Sequence, residues 1–174
     1  MLNPFLTGEM GLDYFYNNSE QSIQRDVFKA QIGIAKETKL PIIVHSRDAA
    51  DDTLAIMTEN IPADWKIHFH CFSYEEPEFA AKLLKAFPNL FIGFTGALTF
   101  KKSEKLREVI KSVPLSRTLL ETDSPYMAPE PYRGQTCHPG YIPFIAKRVA
   151  EIHGSTTEEV LKITRENVKK VYGI

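Results

Sequence analysis

The chain has 174 residues, 43% of them hydrophobic and 25% charged, with a formal net charge of −1. At roughly 150 residues per domain this predicts a single domain, and the composition is that of an ordinary soluble globular protein with ample material for a core. The near-neutral balance excludes a global basic field for nucleic acid or anionic membrane, so any polyanion must be met by local basic loops and bound cations.

Two cysteines, Cys71 and Cys137, belong to no C-x-x-C pattern, which argues against a thiolate zinc cluster and against a disulfide scaffold. No signal-peptide pattern opens the sequence, and no apolar run approaches the ~20 residues of a membrane span. A reducing, cytoplasmic location is expected, with no membrane partner.

The first apolar stretch, Asn3 to Asp13, breaks at Gly8 and Gly11 and reads as a strand with Glu9 at or near its end. A helix is expected around Ser22–Thr38, where Ile23, Val27, Ala30 and Ile34 repeat at the spacing of one helical face. The run Pro41 to His45 is continuously apolar until its histidine, the pattern of a parallel strand buried on both faces. A helix over Ala49–Glu59 follows, with Leu54 and Met57 inward.

Lys66 to Cys71 is a further strand, with Ile67, Phe69 and Cys71 on one face and His68 and His70 on the other. Then come a helix over Glu75–Ala86, a strand over Asn89–Thr95 and a helix over Ser103–Ser112. Thr118–Asp123 is a strand closed by Ser124-Pro125. A proline-rich loop to Pro139 leads into two amphipathic helices, with apolar faces Ile142, Ile145, Val149 and Val160, Ile163, Val171. Thr156 and Glu159 have the spacing of a capping box for the last of these.

Strand and helix alternating five times is the pattern of βα units around a parallel sheet, so the expected class is α/β with the helices outside. Functional groups of such sheets gather at the carboxyl ends of the strands. On this reading Glu9, His45, His70 and Asp123 all fall there, and together they suit a divalent ion such as zinc or manganese; magnesium would be held mainly through the oxygens. With two ions roughly 3.5–4 Å apart, one carboxylate must bridge them. Metal-activated water then suits hydrolysis of a phosphoester or an amide. Ser46 is a weaker nucleophile candidate, because it points away from His45. His68 reads as a structural residue one layer deeper.

The segments Gly8-Glu9-Met10-Gly11-Leu12-Asp13-Tyr14, His45-Ser46-Arg47-Asp48-Ala49, His70-Cys71-Phe72-Ser73 and Glu121-Thr122-Asp123-Ser124-Pro125-Tyr126 stand in the order seen in TatD-type deoxyribonucleases, which this chain resembles. Pro131-Tyr132-Arg133-Gly134 and the closing Glu166-Asn167 helix are similar as well. The resemblance implies a metal-dependent hydrolase with a TIM-like barrel that degrades DNA, often from the 3′ end. It further implies that Glu9 bridges two metals, that His45 and His70 complete one site, and that Asp123 serves the other and orients the water.

Members of that family begin with a strand ending in a His-x-His pair and two further βα units, which are lacking here. The expectation is therefore one TatD-like domain over residues 1–174, apparently truncated at its N-terminus: a partial TIM-type barrel of about five of eight strands. Two open sheet edges would then favour a homo-oligomer, or a partner chain that completes the barrel. Arg47 and Arg133, beside the ligand motifs, are candidates for substrate phosphates. Lys101, Lys102 and Arg107 read as a solvated helix start, and Trp65 as a packing residue. Two other functions stay open: a hydrolase of small lactones or amides, and an inactive partial barrel serving in an assembly.

Overall fold

A computed structural model describes residues 8–16 and 18–174. Strands β1 (Glu9–Asp13), β2 (Ile42–Arg47), β3 (Ile67–Phe69), β4 (Leu90–Phe94) and β5 (Thr118–Leu120) form one sheet in chain order, with every pairing parallel. Helices α1 (Gln21–Thr38), α2 (Ala50–Asn60), α3 (Pro77–Ala86) and α4 (Glu104–Ser112) make the crossovers, and α5 (Ile142–His153) and α6 (Thr157–Tyr172) follow β5. Sequential parallel strands with helical crossovers are the repeating unit of the TIM barrel. Among the described residues the sheet is open, with β1 and β5 at its edges.

The alternation of each strand decides what each face of the sheet does. Leu12, Ile42, Val44, Ile67, Phe69, Leu90, Ile92 and Phe94 are all 0% exposed and share one apolar cluster with Phe28, Ile32, Met57, Leu83 and Val109 of the covering helices. At about 1.5–3 kcal/mol for each fully buried large side chain, this face carries most of the folding energy. The opposite face is treated differently. β2, which the sequence suggests is buried on both sides, alternates instead: Ile42, Val44 and Ser46 are buried, whereas Ile43, His45 and Arg47 are partly exposed. Among the described residues that face of the sheet is covered only in part, which leaves the second set half-buried.

Helix α1 also differs from its expected orientation. Its buried residues are Phe28, Ile32 and Ala35, while Ile23, Val27 and Ile34 are 52%, 50% and 58% exposed. The helix carries two apolar stripes, and the one with Phe28 fills the volume over the sheet.

At the other end of the chain, Val171 packs with Phe91 and Leu119 on the face opposite the main core, so α6 closes the lower part of that face. Asn167 fastens it there by donating to the carbonyls of Leu115 and Thr118, both at 2.8 Å. The expected capping box is half formed. Thr156 Oγ1 accepts from the Glu159 amide at 3.1 Å, but the Glu159 carboxylate accepts from Ser155 Oγ at 2.6 Å.

The strand ends lie elsewhere than the sequence suggests. β1 begins at Glu9, β2 runs two residues past His45, and β3 and β5 stop before His70 and Glu121. Cys71 (φ 44°) and Asp123 (φ 54°) turn the chain into the left-handed region just past these strands, which no strand can continue through. The expected start of β1 at Asn3 lies outside the described residues.

Candidate metal centre

Glu9 starts its strand rather than ending it, yet it meets the others because the sheet is staggered. Following the paired residues across, Glu9 lies level with Ile43 and His68, and Gly11 with His45. The same register carried past β3 and β5 puts His70 level with His45 and Glu121 two positions higher. Tilted strands of a barrel-type sheet bring such a climbing row to one height. Gly11 makes room for it, since a Cβ there would collide with the His45 backbone.

The row converges on His70. Its Nε2 is 2.9 Å from Glu9 Oε1 and 3.5 Å from Asp123 Oδ1, and its Nδ1 donates to Glu121 Oε2 at 2.6 Å. The donor atoms of Glu9, His45 and His70 all lie within 4.8 Å of one another, as do those of His70, Cys71 and Asp123. Opposite ligands on one ion with bonds of about 2.0–2.2 Å are separated by little less than that, so the donor set fits a divalent cation. His45 is steadied by its Nε2 contact with Asp13 Oδ2 at 3.1 Å.

Glu121 is the residue that sequence reasoning missed. It accepts from the Cys71 amide and from His70, and lies 3.3 Å from His68 Nε2. A carboxylate on the far nitrogen of a ligand histidine fixes its tautomer and ring orientation. The available signal was its spacing: Glu121 and Asp123 are two apart in an extended segment, hence on one face. Gly93 is its necessary neighbour, because a Cβ there would collide with the Glu121 carboxylate and the His68 ring.

His68 is one layer deeper, as expected, with Nδ1 on the Tyr172 hydroxyl at 2.6 Å. Ser46 points to the opposite side, where its hydroxyl bonds Thr53 and Tyr74. Arg47 lies beside the cleft, whereas Arg133 is set over Phe100 in a neighbouring one. Arg107 is tied to the carbonyls of Leu98 and Phe100, and Trp65 Nε1 donates to Leu40.

The crowding of carboxylates sets the electrostatics. Burial disfavours a charged His70, but hydrogen bonds to Asp123, Glu121 and Glu9 outweigh it and push its pKa up to about 12. Burial likewise opposes the charge on Glu121, but His68 and His70 hold it well below the usual carboxylate range. The hydrogen bond to His70 lowers Glu9 as well, against partial burial. Burial pushes the Cys71 thiol up to about 12, so it is no thiolate at neutral pH. Three carboxylates facing one imidazolium make a pocket in which positive charge is strongly favoured.

Parallel βα repeats that carry such a cluster define a class: barrel-type α/β proteins with a candidate metal centre on the open face of the sheet. Within that class the chain belongs to the family described as TatD related DNase, whose model matches residues 5–173. It is 41% identical over 167 residues to the uncharacterized metal-dependent hydrolase YabD of Bacillus subtilis, covering 96% of this chain and 64% of that protein. To the human 3′-5′ RNA nuclease TATDN2 it is 37% identical over 171 residues, covering 96% of this chain and 22% of that one. The crystal structure of YJJV, a TatD homologue from Escherichia coli, superposes with a TM-score of 0.88 at 26% identity, covering 97% of this chain and 64% of its own. The chain thus spans less than two thirds of the length of these relatives. Among the described residues no helix is long and apolar enough to cross a membrane.

Proposed function

We propose that this chain hydrolyses phosphodiester bonds in DNA from the 3′ end, with a divalent ion held by Glu9, His45 and His70. The observation that carries the reading is the convergence of those three donor groups, with Asp123 beside them. A bound zinc, manganese or magnesium ion would supply a water whose pKa is lowered from 15.7 toward about 7.

The protein's own groups do the rest. Glu121 holds His70 by Nδ1, so that Nε2 faces Glu9 and Asp123. Asp123, partly exposed beside the centre, accepts the proton of the attacking water, and Glu9 carries the ligand charge nearest solvent. Arg47 and Arg133 receive phosphates. Among the described residues a second ion would find Glu9 and Asp123, and it would be held weakly through added waters. Family membership supports the nuclease reading, and the human relative's named activity supports both the polarity and RNA as the alternative substrate.

Incubating the purified chain with end-labelled single-stranded DNA and RNA of one sequence, with manganese or with a chelator, tests this. Metal-dependent shortening of the DNA from its 3′ end is expected. No shortening with manganese, magnesium or zinc would overturn it.

The edge of β1, unpaired among the described residues, and the exposed stripe Ile23, Val27 and Ile34 on α1 together support association with a second chain. Sedimentation velocity at micromolar concentration should show a dimer or larger, and a lone monomer would contradict this.

A further inference from the structure

One layer beneath the donors of Glu9, His45 and His70 lies a second group, turned inward. His68, His70 and Glu121 also bring their donor atoms within 4.8 Å of one another. Their side chains are 9%, 12% and 14% exposed, against 51% for that of Glu9. The proposed centre uses this group only to hold the His70 ring and gives His68 no part.

His68 is the unexplained member. Its Nδ1 meets the Tyr172 hydroxyl at 2.6 Å. Its Nε2 is buried 3.3 Å from Glu121 Oε2, yet has no hydrogen-bond partner among the described residues. Buried polar atoms are nearly always paired, and one that is not calls for a missing water or ion. A ring whose Nδ1–H donates to Tyr172 carries its lone pair on Nε2, which is the form that ligates a metal. Tyr172 then fixes the tautomer and plane of His68, as partners on the far nitrogen do for ligand histidines. It is itself packed against the apolar cluster of Phe91, Leu119 and Val171.

The space around that lone pair is kept open. A Cβ at Gly93 would strike both His68 Nε2 and Glu121 Oε1, so β4 passes the point where the donors meet without filling it. Glu121 Oε1 is held by the Cys71 amide. That leaves Oε2 between two imidazoles, 3.3 Å from His68 Nε2 and 2.6 Å from His70 Nδ1. Donors on a tetrahedral ion with bonds of about 2.0–2.2 Å stand roughly 3.3–3.5 Å apart. The first separation already matches. The second is free to lengthen once the His70 proton sits on Nε2 instead, where Glu9 Oε1 at 2.9 Å accepts it.

We infer that His68 Nε2, Glu121 Oε2 and His70 Nδ1 form an inner zinc site, separate from the centre that opens to solvent. Two imidazoles and a carboxylate suit zinc, whereas magnesium and manganese favour oxygen donors. A neutral imidazole has one free nitrogen, so His70 serves one ion at a time. It meets the outer ion through Nε2 with Glu121 orienting it, or the inner ion through Nδ1 with Glu9 in that role. The inference borrows one ligand from the proposed centre and needs no hydrolysis.

Zinc binding to the chain carrying Glu9→Gln and His45→Ala tests it, since these changes disable the outer donors but leave an oxygen to accept from His70 Nε2. Competition with a chromophoric chelator should show one zinc per chain, held more weakly than by the wild-type chain. Adding His68→Leu should lower that affinity by no less than the about 10–100-fold that loss of an outer-shell partner costs. Nitrogen-15 spectra of histidine-labelled protein give a readout that needs no third substitution. With zinc, the double variant should report metal on His68 Nε2 and His70 Nδ1, and the wild-type chain with one equivalent should report it on His70 Nε2. No zinc held by the double variant, equal affinity with and without His68, or His70 ligating through Nε2 in the double variant would overturn the inner site and leave the outer one standing. Zinc held through His68, with no metal-dependent cleavage by the wild-type chain, would support the inner site and remove the nuclease reading instead.

Discussion

The two faces of this sheet are built from the same strands and obey different rules. On the helix-covered face, Ile67 and Phe69 are fully buried among apolar neighbours that differ little from one another. On the other face, His68 and His70 alternate with them and have individual partners: a tyrosine hydroxyl for one, and three carboxylates for the other. One face tolerates replacement by apolar side chains of similar size, because dispersion and burial are nondirectional. The other depends on particular atoms at particular distances. Stability and chemistry are thus separated residue by residue along three-residue strands.

The sharpest way to break this separation is to alter neighbours that face opposite ways. Phe69→Ala should cost about 3–5 kcal/mol of stability in urea unfolding, while the folded fraction keeps its metal affinity. A fall in affinity alongside stability would show that the faces are coupled. Glu121→Gln attacks the other face: it keeps the shape but loses the charge that orients His70. A loss of about 10–100-fold in metal affinity is expected, read by competition with a chromophoric chelator. His68→Ala should mainly loosen packing against Tyr172, lowering the melting temperature while shifting metal affinity less than Glu121→Gln does.

A smaller effect concerns pH in the metal-free protein. His70 has a folded pKa of about 12, above its ordinary 6.5, so its contribution is complete below about pH 6.5 and declines as pH rises toward 12. Glu9 and Glu121 are depressed from 4.5, so theirs is complete above that value and is lost in acid. In chelator, melting temperature should therefore be highest near pH 5–6 and fall through pH 7 to 9. Bound metal should flatten or reverse the alkaline limb, since ligation needs His70 deprotonated. A metal-free melting temperature that rises from pH 6 to 9 would contradict the account of this cluster.

Much of this was legible from spacing alone. Strand–helix alternation predicts the parallel sheet, and the period of two in Ile67-His68-Phe69-His70 predicts which side chains face together. The remainder depends on tertiary geometry. Glu9 was expected at a strand end and instead begins one, because the stagger that lifts it to His70 belongs to the whole sheet. Glu121 acts through His70, 51 positions away; its spacing from Asp123 puts the two on one face but does not name that partner. For α1, a count of periodic apolar positions cannot choose between two stripes; Phe28 decides, by filling the space over the sheet. β3 and β5 end at Phe69 and Leu120, and the left-handed residues Cys71 and Asp123 follow just past them, a turn that no propensity encodes.

The central claim is that His70 is the hub of a metal centre on the open face. Calorimetric titration of zinc or manganese into the wild-type chain and into His70→Ala tests it most directly, in two buffers of different ionisation enthalpy. The wild-type chain should show a tight site whose binding releases a proton, because the imidazolium at His70 must give one up. The variant should lose more than about 100-fold in affinity and lose that proton release. Tight binding of the same stoichiometry in both proteins, with no proton released from either, would contradict the account.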